Sequence, residues 1–302
     1  MSVDRLIEAI EWKKNPTVLG LDPQPEHIPP EVLAPYVEQD GHTIAAFCKA
    51  YEAFITGLIE ATSDVVPAVK LQSAFYEALG PEGMAVMQRG VQTARAHGLY
   101  VIADAKRGDI GSTSTAYSAA FLGRVALGDT IQPVFDADAL TVNPYLGSDN
   151  LTPFLQDCER YDKMIFVLCK TSNKSSLEVQ ELITGDRPLY RVIAEQASRA
   201  GRHLTGQYGY SSVGVVAGAT QSAAIRQLRE RHPELFFLVP GYGAQGGRAE
   251  DLVNAFDAKG RGAIVNNSRG ISCAWQKTGK TYTDAARKAA LHMRDDLRRI
   301  LM

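Results

Sequence analysis

The stretch LYVIADAKRGDIGST, residues 99–113, decides how the rest of the chain is read. An apolar run, Leu99–Ala103, is followed at once by Asp104, Lys106, Arg107 and Asp109. A short apolar run without alternation fits a strand buried on both faces, as in a parallel sheet. Charges crowded against the C-terminal end of such a strand point to a working edge of that sheet.

The same pattern recurs along the chain. Apolar runs stand at TVLGLD (17–22), VVPAVKL (65–71), LYVIADAK (99–106), ALTVNP (139–144), MIFVLCK (164–170), VGVVAGA (213–219), LFFLVPG (235–241) and GAIVNN (262–267). Between them lie stretches with helical spacing. Ile44, Phe47, Cys48, Tyr51, Phe54, Ile55, Leu58 and Ile59 follow i, i+3, i+4 steps along one face. Residues 80–97, 114–127, 187–200 and 284–301 read as further helices. Eight strands alternating with helices predict an α/β fold, a (β/α)8 TIM barrel forming one domain over residues 1–302, with a doubly wound open sheet as the alternative. The polar segment 172–187 is long for a strand-to-helix connection and reads as a mobile loop over a site or as a surface excursion.

The bulk properties exclude several function classes. Of 302 residues, 45% are hydrophobic and 22% charged, and the formal net charge is −2. No basic field argues for nucleic acid or an anionic membrane. An anionic ligand therefore needs a local cationic site. The four cysteines are scattered without a C-x-x-C pair, which predicts free thiols in a reducing compartment rather than a disulfide framework or a zinc site. The opening residues MSVDRLIEAIEWKK read as an amphipathic helix and not a signal peptide, and no apolar run approaches the ~18 residues of a membrane span. The expected location is the cytoplasm.

Polar and charged residues gather at the ends of the runs: Asp22, Lys70, Asp104 with Lys106, Asn143, Lys170 to Ser172, Thr220, Gln245 and Arg269. Asp104 and Lys106, two apart, face one side of a continuing strand. Arg107 is out of phase and reads as structural. Buried charges must pair, so Lys70, Asp104, Lys106 and Asp109 can neutralise one another. An ion-pair network rimming a barrel gives the same spacing. A second candidate is VPGYGAQGGR, 239–248, with Gly241, Gly243 and Gly246 spaced as G-x-G-x-x-G. A dinucleotide loop normally opens its domain, whereas this one follows the seventh run, and Arg261 stands near where the ribose-binding acid belongs. The glycines fit a phosphate cradle after strand seven of a barrel, with Arg269 as the cation on that phosphate.

With GLD at 20–22, VK at 69–70, DAKRGDIGST at 104–113, PGYGAQGG at 240–247 and SRGI at 268–271 in this order, the chain resembles the orotidine 5′-monophosphate decarboxylase family, in its longer subgroup. The resemblance covers nearly the whole chain. It implies a (β/α)8 barrel, no cofactor, no metal, and a homodimer with active sites shared at the interface. It implies Lys106 as the general acid that protonates C6, with Lys70, Asp104 and Asp109 completing a charged array. Asp109, Ile110 and Thr113 would reach into the neighbouring subunit's site. Asp22 and Lys70 would hold the ribose, Ser172 the pyrimidine, and Gln245, Gly246, Gly247 and Arg269 the 5′-phosphate. The family pattern has Pro-Gly after Ser-Asn, where this chain carries Lys174 and Ser175.

Three other readings stand beside this one. Magnesium-dependent sugar-phosphate decarboxylases and hexulose-phosphate synthases share the D-x-K-x-x-D strand end, but carry a metal-binding glutamate at the position of Lys70. A Schiff-base aldolase would use Lys70 or Lys170 as nucleophile. A nucleotide-binding protein without catalysis would keep the same motifs.

Overall fold

The computed structural model describes residues 1–242 and 249–301. Among them, eight parallel strands close into a barrel: β1 (Thr17–Leu21), β2 (Ala68–Gln72), β3 (Tyr100–Arg107), β4 (Ala139–Val142), β5 (Met164–Lys170), β6 (Val213–Ala217), β7 (Phe237–Val239) and β8 (Ala263–Asn267). Each falls on one of the eight apolar runs, with β2 and β3 extending one residue past theirs, and each pairs with its neighbours in sequence. The ring closes where Thr17 of β1 faces Val265 of β8. The open doubly wound sheet is thereby ruled out.

Alternation divides each strand between two cores. Val18, Ala68, Ile102, Ala139, Phe166, Val216, Leu238 and Ile264 fill the barrel interior, packed with Val3, Leu6, Ile7 and Ile10 of the helix Ser2–Lys13. That helix closes the N-terminal end of the barrel. Residues one step out of phase, such as Leu19, Val69, Val101 and Val167, pack outward against helices, including Phe54, Ile55, Leu58 and Ile59 of Ile44–Thr62. Each fully buried side chain of this size contributes roughly 1.5–3 kcal/mol, so the two cores fix which residues face inward. No helix among the described residues is long and apolar enough to cross a membrane.

Helices Gly80–Ala96, Leu189–Ala200 and Tyr282–Leu301 match the periodic stretches. The expected helix 114–127 differs. It runs Gly111–Phe121, and an antiparallel ribbon follows, Val125–Leu127 with Thr130–Gln132. The ribbon turns on Gly128 and Asp129, with Gly128 at φ 61°, the left-handed geometry a two-residue hairpin needs. The excursion after β5 is also structured: a 3₁₀ turn Lys174–Ser176, a helical turn Leu177–Gln180, and a small ribbon pairing Ile183–Thr184 with Arg187–Pro188.

Candidate active site

The strand parity that fills the barrel interior continues to its C-terminal mouth. Going up β2, Ala68 is followed inward by Lys70 and Gln72; on β3, Ile102 is followed by Asp104; past β1, Val18 and Gly20 lead to Asp22. The registers set Gly20 beside Lys70 and Gln72 beside Asp104. Lys70 therefore stands between the strand that carries Asp104 and the one that leads to Asp22.

One carboxylate serves two ammonium groups. Asp104 Oδ2 lies 2.8 Å from Lys70 Nζ, while Oδ1 accepts from Lys106 Nζ at 2.6 Å and from Thr141 Oγ1 at 2.9 Å. Asp22 Oδ1 is 3.8 Å from Lys70 Nζ and has no hydrogen-bond partner. Gln72 supports the array twice, accepting from Lys106 Nζ at 3.3 Å and donating to the Asp104 carbonyl at 3.0 Å. Burial would push the Asp104 carboxyl up, but Lys70 and Lys106 outweigh it and hold the group well below the ordinary carboxylate range. Burial likewise opposes the charge on Lys70, yet Asp104 and Asp22 raise its pKa above the ordinary lysine value. The side chain of Lys70 is 4% exposed and that of Lys106 44%. Lys106 is thus the ammonium that can meet a ligand and solvent.

Simple alternation does not place Lys106. The β3–β4 register slips between Ala103 and Arg107, and Lys106 adopts φ 49°. A left-handed non-glycine residue costs roughly 1–2 kcal/mol. Its N–H donates to Thr141 Oγ1 at 3.0 Å, so the hydroxyl that braces Asp104 also braces the Lys106 backbone. Arg107 turns away as expected, paired with Glu77 and lying over the rings of Tyr117 and Phe121 at 5.4 and 5.6 Å.

These groups line a cavity of ≈ 610 Å³. Its apolar inner wall is Leu168, Val216 and Leu238. Thr171, Ser172 and Asn173 line it from the end of β5, and Arg269 from the end of β8. Arg269 is exposed, and its guanidinium has no partner among the described residues. Asn266 also lines the cavity, with a buried Oδ1 that has no hydrogen-bond partner among the described residues. Gln72, Thr141 and Asn266 were not singled out by sequence. The available signal was parity, since each lies two residues from another inward-facing strand position.

Not every expected residue joins this site. Asp109, Ile110 and Thr113 lie outside the cavity lining. Among the described residues of one chain the charged array is Asp22, Lys70, Asp104 and Lys106, and Asp109 makes no ion pair with it. After β3 the chain crosses over Asn143 and Asn150: the Asp109 N–H donates to Asn150 Oδ1 at 2.9 Å, and its carboxylate accepts from the Ile110 N–H at 2.7 Å. Ile110 is 56% exposed. Gly108 is required here for space, since a Cβ would stand 2.7 Å from the Asn143 carbonyl oxygen. Gln245, Gly246 and Gly247 lie outside the described residues, as does Gly243. The segment after them is a 3₁₀ helix, Ala249–Ala255. Lys170, a candidate Schiff-base nucleophile, points out of the barrel. Among the described residues no group of three or more His, Cys, Asp and Glu is placed to hold a metal ion.

Comparison with known proteins agrees with this geometry. The profile of the orotidine 5′-phosphate decarboxylase / HUMPS family matches residues 17–280. An orotidine 5′-phosphate decarboxylase of Caldicellulosiruptor bescii is 40% identical over 273 residues, 90% of each chain. One of Rhodopirellula baltica is 40% identical over 289 residues, covering 93% of this chain and 94% of its own. The structure of Leishmania donovani OMP decarboxylase superposes with a TM-score of 0.74 at 34% identity, covering 99% of this chain and 98% of that one. The chain belongs to the orotidine 5′-phosphate decarboxylase / HUMPS family.

Proposed function

We propose that the chain decarboxylates orotidine 5′-monophosphate to uridine 5′-monophosphate, without metal or cofactor, with Lys106 as the acid that protonates C6. The observation that carries this reading is the array Asp22–Lys70–Asp104–Lys106 at the mouth of a cavity also lined, from the end of β8 beside β1, by Arg269, whose guanidinium has no partner among the described residues.

The C6–carboxylate bond breaks, carbon dioxide leaves, and the electron pair stays on C6. Lys106 gives that carbon a proton and regains one from water. An ammonium fixed beside the reacting carbon stabilises the developing negative charge before it donates. Asp104 fixes it there, 2.6 Å away, at no reorganisation cost during the reaction. Asp22, whose buried Oδ1 has no hydrogen-bond partner among the described residues, and Lys70 would hold the ribose. Arg269 would hold the phosphate together with Gln245, Gly246 and Gly247. Binding energy from the remote phosphate can be spent on ordering the array around the reacting carbon.

Magnesium-dependent relatives of the same barrel need carboxylates free to bind the ion. Here Asp104 is engaged by two lysines and Lys70 puts a positive charge at the centre of the array. In the assay that tests the reading, purified protein should consume the orotidine 5′-monophosphate absorbance and release carbon dioxide at a rate unchanged by EDTA. Activity lost with EDTA and restored by magnesium would favour the sugar-phosphate chemistry instead.

The proposed assembly is a cytoplasmic homodimer. Asp109, Ile110 and Thr113, exposed or half-buried outside their own cavity, would complete the partner's site. A 1:1 mixture of reassociated Lys106→Ala and Asp109→Ala subunits should then regain about a quarter of wild-type activity, because half the dimers carry one intact site. No recovery above either variant alone would place Asp109 in its own subunit's chemistry.

A further inference from the structure

The root of the excursion after β5 is held by contacts that the proposed chemistry does not use. Lys170 is fully buried, yet it faces away from the cavity. The β5–β6 register slips at this point: Val216 pairs with Leu168, but Ala217 pairs with Lys170. The extra residue turns both Cys169 and Lys170 toward the helix Leu189–Ala200. Cys169 Sγ donates to the Tyr190 carbonyl at 3.2 Å, and Lys170 Nζ lies 5.6 Å from the Tyr190 ring centroid.

Two consecutive residues of the excursion grip two consecutive residues of the strand end. Glu181 Oε1 is 2.7 Å from Lys170 Nζ. Gln180 Oε1 accepts from the Thr171 N–H at 2.9 Å, and Gln180 Nε2 donates to Thr171 Oγ1 at 2.8 Å. The next two residues, Ser172 and Asn173, line the cavity. There is little slack there, since a Cβ on Gly218 would stand 2.7 Å from the Ser172 nitrogen. A buried ammonium cannot release its carboxylate without a large desolvation penalty. The root of the excursion is therefore tied to the strand end at Lys170, by an ion pair, and at Thr171, by two hydrogen bonds.

In the ring of eight strands β5 lies opposite β1, and the apolar wall of Leu168, Val216 and Leu238 flanks the β5 end. A flat ring would rest on that wall, while ribose and phosphate go toward Asp22 and Arg269. We propose that Gln180 and Glu181 are positioning residues: by fixing Thr171 and Lys170 they hold Ser172 and Asn173 against the base half of the bound nucleotide. This rests on the nucleotide reading above.

The test compares two ligands by calorimetry on the intact protein, uridine 5′-monophosphate and ribose 5-phosphate. Gln180→Ala removes one clamp without stranding a charge, and Glu181→Gln removes the other at constant size. Each should weaken uridine 5′-monophosphate about tenfold, the scale of a lost hydrogen bond to a buried partner, and leave ribose 5-phosphate within about twofold. General damage would weaken both ligands alike, and that result overturns the proposal, as does unchanged uridine 5′-monophosphate binding in Gln180→Ala. Should Glu181→Gln fail to fold, Gln180→Ala alone decides. Wild-type protein that binds uridine 5′-monophosphate no more tightly than ribose 5-phosphate would instead refute the nucleotide reading.

Discussion

Replacing Lys106 by alanine should lower kcat by at least about 10⁴-fold, since it removes both a general acid and the charge stabilisation it supplies. Binding of uridine 5′-monophosphate should stay within about tenfold of wild type, because the ribose and phosphate contacts belong to other residues. The reasoning separates the two lysines. Lys70 is the more deeply buried and stands between Asp104 and Asp22, which suits it to brace the array and the ribose and not to deliver a proton to the reacting carbon. Lys106 reaches the same carboxylate from the cavity side and is nearly half exposed. Steady-state rates with orotidine 5′-monophosphate check this, and a kcat within tenfold of wild type would remove Lys106 from the chemistry. The protein should still fold, since Asp104 keeps Lys70 as its counter-ion at 2.8 Å.

The barrel was legible because a strand covered on both faces leaves an uninterrupted apolar run, and eight such runs account for the eight barrel strands among the described residues. The charged rim was legible for a related reason. Lys70 and Asp104 interrupt otherwise apolar strands, and only a site or an ion-pair network repays that cost. What sequence could not show depends on the neighbouring strand. The slip between β3 and β4 puts Lys106 in left-handed backbone, and the slip between β5 and β6 turns Lys170 outward. Counting by twos cannot see a bulge, because the extra residue is defined by its pairing partner. Thr141 was passed over for a similar reason: a threonine in ALTVNP reads as ordinary strand residue until Asp104 and the Lys106 N–H are found on either side of its hydroxyl. The ribbon at 125–132 was hidden by apolar residues that continue the helical spacing past Phe121, although Gly128-Asp129 marked the turn. Asp109 shows the opposite limit. Its place in the motif was plain, but among the described residues it does not line the cavity of its own chain.

Asp104→Asn should destabilise the fold by about 3–5 kcal/mol at pH 7, the scale for stranding one member of a buried ion pair. It should also lower kcat by about 10²-fold or more through lost placement of Lys106. The carboxylate holds Lys70 at 2.8 Å and Lys106 at 2.6 Å, and an amide can replace neither charge. The pH dependence gives an independent check. The native Asp104 pKa is depressed by its two lysines against the opposing effect of burial. Its contribution to stability is therefore complete above about pH 4 and is lost as pH falls through the lower native value. The Lys70 pKa is raised, so its contribution is complete below about pH 10.4 and fades only as pH rises past the native value. Between these limits the pair acts at full strength, and urea unfolding should show a constant gap between wild type and Asp104→Asn. Toward strong acid the gap should narrow, because the wild-type carboxyl protonates and comes to resemble the amide. A gap that stays constant well below pH 3 would mean that Asp104 stabilises the barrel by packing and not by charge.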